Sequence, residues 1–248
     1  MAASVLCQQY ALNTSTGTQD FTISGAGTCK GVLVIGGLAT VNGTEIDHAG
    51  GVWGFIGTDG TERSICGASE HDQTNTDTYR YADTGVIRGL TGTGGTDYVI
   101  SWDSYITDGV RLSIDTAPSS ARLVSLVMFF GADVNVEVGS LTMATGDDSE
   151  ALVTVSQQTH LLFTATTNDS TLDSANAHMS MHMGVATTSD AGTTIQTGGC
   201  AFNPPDNQAA SNVRMSMGAR VGFNYGSDIN RAYEVTTLSS TQVGKIRS

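Results

Sequence analysis

The strongest constraint on this chain is a stretch that occurs twice. From Lys30 to Thr58 an apolar run, Val32-Leu33-Val34-Ile35, is broken by Gly36-Gly37. A polar loop follows, then a second apolar segment, Val52-Trp53-Gly54-Phe55-Ile56, ending at the turn Thr58-Asp59-Gly60-Thr61. A fainter version starts at His160, with Leu161-Leu162-Phe163, a polar loop, Met181-His182-Met183-Gly184-Val185-Ala186 and a turn at Ser189-Asp190-Ala191-Gly192. Thr16-Gly17 aligns with Thr145-Gly146, and Val32-Leu33-Val34 with Leu161-Leu162-Phe163, both 129 residues apart. Gly54 aligns with Gly184 at 130, and Tyr98-Val99-Ile100-Ser101 with Tyr233-Glu234-Val235-Thr236 at 135. Gly/Thr-rich β-chains align with themselves by chance, but an offset that drifts slowly and keeps its order reads as a tandem duplication with small loop insertions.

The expected repeats are 1–133 and 134–248, the second incomplete. In the first, Asp108-Gly109-Val110-Arg111-Leu112 leads through Thr116-Ala117-Pro118-Ser119-Ser120-Ala121 to the strong apolar run Leu123–Phe130. The second stops at Lys245-Ile246-Arg247-Ser248 with no such run. Either the chain is cut short or something else covers that sheet edge; an open edge strand is an aggregation hazard, so a neighbouring chain is the expected cover.

The spacing of short apolar runs and turn signals indicates an all-β fold of antiparallel β-sandwich or jelly-roll-like repeats. Leu123–Phe130 reads as the strongest strand. Val32–Ile35 is continuous, as in a strand buried on both faces. Val52–Gly57 with Arg63–Cys66, and Tyr98–Trp102 with Val110–Ile114, read as hairpins, while Arg80–Leu90 reads as a strand pair or one long strand. No segment holds a 3.6-residue period, and none is long and apolar enough for a membrane helix. The thirty glycines and 14% charged residues fit short strands joined by turns. A net charge of −13 with eleven Lys and Arg argues against nucleic-acid and anionic-membrane partners. The N-terminus has neither the basic start nor the apolar core of a signal peptide.

Chemistry-bearing patterns are weak throughout. Cys7, Cys29, Cys66 and Cys200 form no Cys-x-x-Cys pair, so a cysteine zinc site is not expected, and a Cys7–Cys29 bridge stays open. His178 and His182 share a strand face about 13 Å apart, too far for one zinc. Glu70-His71-Asp72 point apart on a polar loop. Asp147-Asp148-Ser149-Glu150 lacks calcium-loop spacing. Gly92-Thr93-Gly94-Gly95 lacks the Lys-Ser/Thr and helix of a phosphate loop. No Gly-x-Ser-x-Gly elbow occurs. No cofactor, metal or catalytic residue is therefore assigned. Trp53 and Trp102 remain the candidate binding residues: exposed, either would stack on a sugar ring, and buried, either is core.

Together these motifs resemble a family of tailed-bacteriophage virion proteins. The resemblance lies in Ser15-Thr16-Gly17-Thr18-Gln19, Lys30-Gly31-Val32-Leu33-Val34-Ile35, Gly54-Phe55-Ile56-Gly57-Thr58-Asp59-Gly60, Tyr98-Val99-Ile100-Ser101-Trp102-Asp103, Asp108-Gly109 and Thr116–Ala121. It covers the first repeat well and the second poorly. It implies a β-sandwich component of the particle exterior, assembled in the host cytoplasm, and carries over no catalytic residue. The expected function is a capsid decoration (cement) protein, a homo-oligomer such as a trimer, held against the major capsid protein or tail proteins. A tail fibre or receptor-binding module reading a host glycan is the alternative, and a glycan depolymerase a third class.

Overall fold

The computed structural model describes residues 3–75, 77–141, 150–167, 172–177, 181–188, 195–203, 207, 214–218, 222–225, 230–240 and 242–247. They form nineteen strands and, among the described residues, no helix. The first ten are β1 (Ser4–Ala11), β2 (Gly17–Thr22), β3 (Cys29–Gly37), β4 (Ala49–Ile56), β5 (Glu62–Ser69), β6 (Thr78–Asp83), β7 (Ile87–Leu90), β8 (Thr96–Ile106), β9 (Gly109–Thr116) and β10 (Leu123–Phe130). The rest are β11 (Glu150–Thr154), β12 (Leu161–Thr167), β13 (Ser174–Ala177), β14 (Met181–Thr188), β15 (Ile195–Asn203), β16 (Arg214–Gly218), β17 (Gly222–Tyr225), β18 (Asn230–Leu238) and β19 (Gln242–Arg247). The paired strands run antiparallel throughout.

A seven-stranded sheet, β1-β10-β3-β4-β5-β6-β13, faces a four-stranded sheet, β2-β9-β8-β7. The alternation in β10 shows why. Val124, Leu126, Met128 and Phe130 point inward and are at most 1% exposed, while Leu123, Ser125, Val127 and Phe129 are half-buried on the other side. Phe21, Ile100, Val110 and Leu112 meet them from the small sheet. Tyr10 closes the rim edge-on to Phe21, ring centres 5.1 Å apart. Each large side chain so buried contributes about 1.5–3 kcal/mol.

Two turns hold this sandwich in register. Asp108 closes the β8–β9 hairpin at φ 66°, a left-handed conformation that Asp tolerates. Its carboxylate accepts N–H bonds from Gly25 and Gly27, at 2.9 and 2.7 Å, tying that hairpin to the β2–β3 turn. These bonds hold the Asp108 carboxyl below its usual range. Where β6 leaves the large sheet, Asp83 accepts from Gly85 N–H and pairs with Arg88, and the chain re-enters as β7 in the small sheet. The expected strand pair at Arg80–Leu90 is thus two strands in different sheets, not a hairpin.

Beyond β10 a second pair of sheets, β12-β14-β15-β16 and β11-β19-β18-β17, encloses its own core of Ala186, Val235, Leu238 and Val243 with Val155, Leu162 and Ile195. It lies on the outer face of the seven-stranded sheet. Met181 and Ala165 pack on Trp53, Ile65 and Ala82, and Phe163 meets Phe129 at 6.4 Å. The result is four stacked β-layers. One strand of the later half, β13, pairs with β6 and completes the edge of the first sheet.

Strand order is the same in both halves. β3-β4-β5-β6 over β2-β9-β8-β7 matches β12-β14-β15-β16 over β11-β19-β18-β17. The pairings shift one alignment by a residue. Gly54 opposes Val34 and Gly184 opposes Thr164, so Val32 matches Leu162 at an offset of 130, not Leu161 at 129. The facing agrees, because Val32 and Leu162 both point into their cores, and a one-residue slip would reverse that. The Thr145-Gly146 match lies outside the described residues.

A Cβ on Gly54 would sit 1.8 Å from the Val86 carbonyl oxygen, whereas one on Gly51 meets nothing within 4 Å. Gly54→Ala is expected to cost about 3 kcal/mol through forced overpacking, with Gly51→Ala within about 0.5 kcal/mol of wild type, read from urea midpoints. Asp108 gives a second expectation. Its lowered folded-state pKa contributes stability that is present above the unfolded carboxylate pKa and lost as pH falls through the folded one. Asp108→Asn should therefore be less stable than wild type at pH 7, and the gap should close in strong acid, as followed by thermal melts.

Candidate interaction surface

The two tryptophans lie in different environments. Trp53 sits on the outer face of β4, half-buried between the layers with Ile65, Ala82, Met181 and Ala165. Trp102 lies at the rim of the first core over the β4–β5 turn, with Tyr105 5.7 Å away at a tilt of 57°. Gly60 turns beneath it at φ 83°, and a Cβ there would come within 2.4 Å of the indole. Tyr105 donates its hydroxyl to the Gly57 carbonyl at 2.7 Å, and burial pushes its phenol far up. Trp102 N–H donates to Glu62 Oε2 at 2.9 Å, while the buried Trp102 Nε1 has no partner. Both rings are half-buried packing elements, and the structure does not bring them together.

Beside Trp102 the inner face turns polar. Glu62 is pushed up chiefly by burial, partly offset by the backbone N–H groups of Trp102 and Val86. Asp83 takes Arg88, whose guanidinium also lies 4.4 Å over the Tyr81 ring. Asp173, left-handed at φ 59°, accepts from Thr84 N–H at 3.0 Å and is held low chiefly by that bond. It thereby clamps the start of β13 to the β6–β7 crossing. These carboxylates are engaged by backbone donors, the Thr84 hydroxyl and one arginine, which is the chemistry of a structural brace.

The remaining expected candidates also resolve into structure. His182 is buried on β14, and His178 lies outside the described residues. His71 donates its backbone N–H to His48 Nδ1, so the Glu70–Asp72 loop braces a neighbouring loop. Gly92 and Gly94 bend under the rings of His48 and Tyr79, where any Cβ would collide, so glycine there serves close packing. Asp147-Asp148-Ser149 lie outside the described residues. Cys7, Cys29, Cys66 and Cys200 form no disulfide with one another. Cys7 and Cys29 sit on strands separated by β10, about 9.5 Å apart at the usual strand spacing and beyond disulfide reach. Burial raises the Cys29 thiol. Among the described residues no group of three His, Cys, Asp or Glu is placed to hold a metal ion.

What the sequence did not single out is the loop between β3 and β4. It overhangs an open groove of about 670 Å³ lined by Gln9, Ile35, Leu38, Val41, Ile46 and Leu123. Its ends are fastened, the one entering β4 by the His71 N–H bond to His48 Nδ1. Leu38 is 7% exposed, its carbonyl accepts from Arg122 Nη1 at 2.7 Å, and Leu123 N–H donates to the Ala39 carbonyl at 2.8 Å. Arg122 Nε in turn meets the buried Asp97 carboxylate at 2.7 Å. The tip is the reverse. Val41 is 58% exposed and Ile46 43%, with Ile35 at 37% beneath them and Glu45 and Asp47 alongside. Asn42-Gly43 has the chemistry of a tight turn, and Gly43 is left-handed at φ 72°. Only the clustering of Val41 and Ile46 within a polar loop could have signalled an apolar rim. Anchored ends and an apolar tip suit a contact surface for another protein.

Comparison of the chain with family models, curated proteins and solved structures finds no match in any of the three. The functional reading rests on the chain's own geometry and on the motif resemblance in its sequence.

Removing Arg122 strands the buried Asp97 and frees the loop. Arg122→Met is expected to lose about 3 kcal/mol in urea unfolding. It should also speed amide exchange across 38–48.

Proposed function

We propose that this chain is a structural protein of a bacteriophage particle, a capsid decoration protein that acts by binding neighbouring virion proteins over an extended surface. The observation that carries the reading is the anchored loop with its apolar, solvent-facing Val41 and Ile46 above Ile35. Exposed apolar side chains on a rigid scaffold cost solubility unless a partner covers them. An acidic surface, with net charge −13, keeps such a protein dispersed before assembly. The resemblance of its strand and turn motifs to virion proteins supplies the particle. On this reading it works as an oligomer on the virion exterior and without catalysis. Packing of both indoles into the body of the protein favours decoration over a tail-borne glycan reader built on Trp53 or Trp102.

The test is to separate heads from tails of the phage that encodes the chain and to quantify it in each by mass spectrometry. Decoration requires it in heads at a copy number near that of the major capsid protein. A few copies confined to tails would replace this reading with host recognition. Val41→Ser with Ile46→Ser should leave stability within about 0.5 kcal/mol of wild type, because both side chains are exposed. It should nonetheless deplete the protein from purified particles.

A further inference from the structure

The two halves share a strand order, but they do not end alike. In the first, β3 carries β10 on its free side and β1 beyond that. In the second, β12 occupies the place of β3 and stands at the edge of its sheet, with no strand paired on its far side among the described residues.

Its hydrogen-bonding side can be read from the ladder. Thr188 N–H donates to the His160 carbonyl, so His160 and Thr188 form a bonded pair. Counting along the antiparallel register, the backbone groups of Leu161, Phe163, Ala165 and Thr167 point away from β14, toward the open edge.

Two further observations say that something belongs there. Val32, the counterpart of Leu162, is 2% exposed, whereas Leu162 is only half-buried. Phe21 in β2 is fully buried beneath Tyr10 of β1. Val153 in the corresponding strand β11 shares its face with the buried Val243, yet is half-exposed. The inner corner between β11 and β12 thus lacks the cover that β10 and β1 give the first sandwich. On the other side of β12, Leu161 is 42% exposed.

We propose that the free edge of β12 is a docking site for an extended segment of a partner polypeptide with the chemistry of β10: about eight residues, apolar at alternate positions, added antiparallel to Leu161–Thr167. Its backbone pairs with the outward groups of Leu161, Phe163 and Ala165. Its inward side chains cover Leu162 and Val153. This goes beyond the decoration reading and does not depend on it, since it concerns one sheet edge rather than the loop at Val41 and Ile46.

The experiment uses the full chain and a synthetic peptide with the β10 sequence, residues 123–130, flanked by lysines for solubility. Hydrogen exchange is followed by mass spectrometry with and without the peptide. The proposal expects exchange at 161–165 to slow by about tenfold or more with the peptide, and not with the same peptide carrying Val127→Pro, because the N–H at that position is the one that faces the partner strand in this register. Unchanged exchange at 161–165 at saturating peptide, with the β3–β4 amides still slow, would overturn it. Slowing that rises with protein concentration in the absence of peptide would overturn it equally, because the occupant would then be a second copy of this chain. Particle fractionation reads the decoration proposal separately.

Discussion

The seven-stranded sheet is apolar on both faces, and the rest of the architecture answers that. Its middle strands carry Val32, Val34, Val52 and Ile56 inward, and Trp53, Ile65 and Phe129 outward. A sheet with one apolar face needs one partner layer, and a sheet with two needs a layer on each side. The small sheet supplies the first. The β12–β14 face supplies the second, through Phe163, Ala165 and Met181. The second sandwich is therefore a structural requirement of the first, and β13 and the Asp173–Thr84 clamp add backbone and side-chain ties across the same boundary.

That constraint explains which parts of the fold were legible in the sequence. Leu123–Phe130 is a strong apolar run bounded by Pro118 and Gly131, and its expected limits are those of β10. The β8–β9 hairpin was visible because Asp108-Gly109 has the turn chemistry such a reversal needs. The β6–β7 crossing was hidden. Thr84-Gly85 looks like a hairpin turn, but Asp83 bonds both Gly85 N–H and Arg88 and directs the chain into the other sheet. β13 was hidden for a different reason: Ser174-Ala175-Asn176-Ala177 joins its sheet by backbone pairing, and side-chain periodicity does not report that.

The candidate surfaces show the same division. Alternation placed Trp53 in an apolar strand but could not say which layer covers its outer side. Trp102 lies at a register shift between Trp102 and Ser104, so its direction departs from strict alternation. The anchored loop was missed because its anchors, Arg122 and Asp97, are distant in sequence, and only the folded chain brings them to Leu38 and Ala39.

The features that point outward also differ in kind. The loop tip offers side chains, while the β12 edge offers backbone groups in a fixed line. Side-chain contact tolerates small changes of angle between partners, so it suits attachment to a curved surface. Backbone pairing demands register and direction, and selects a partner by whether it can adopt an extended strand at all. Loss of the loop contact should weaken attachment while leaving both cores intact. Loss of the strand should instead leave the corner at Leu162 and Val153 wet, lowering the stability of the second sandwich relative to the first. A protein with both kinds of surface can be ordered locally by one partner and held in place by another, and its second half is the part whose stability then depends on assembly.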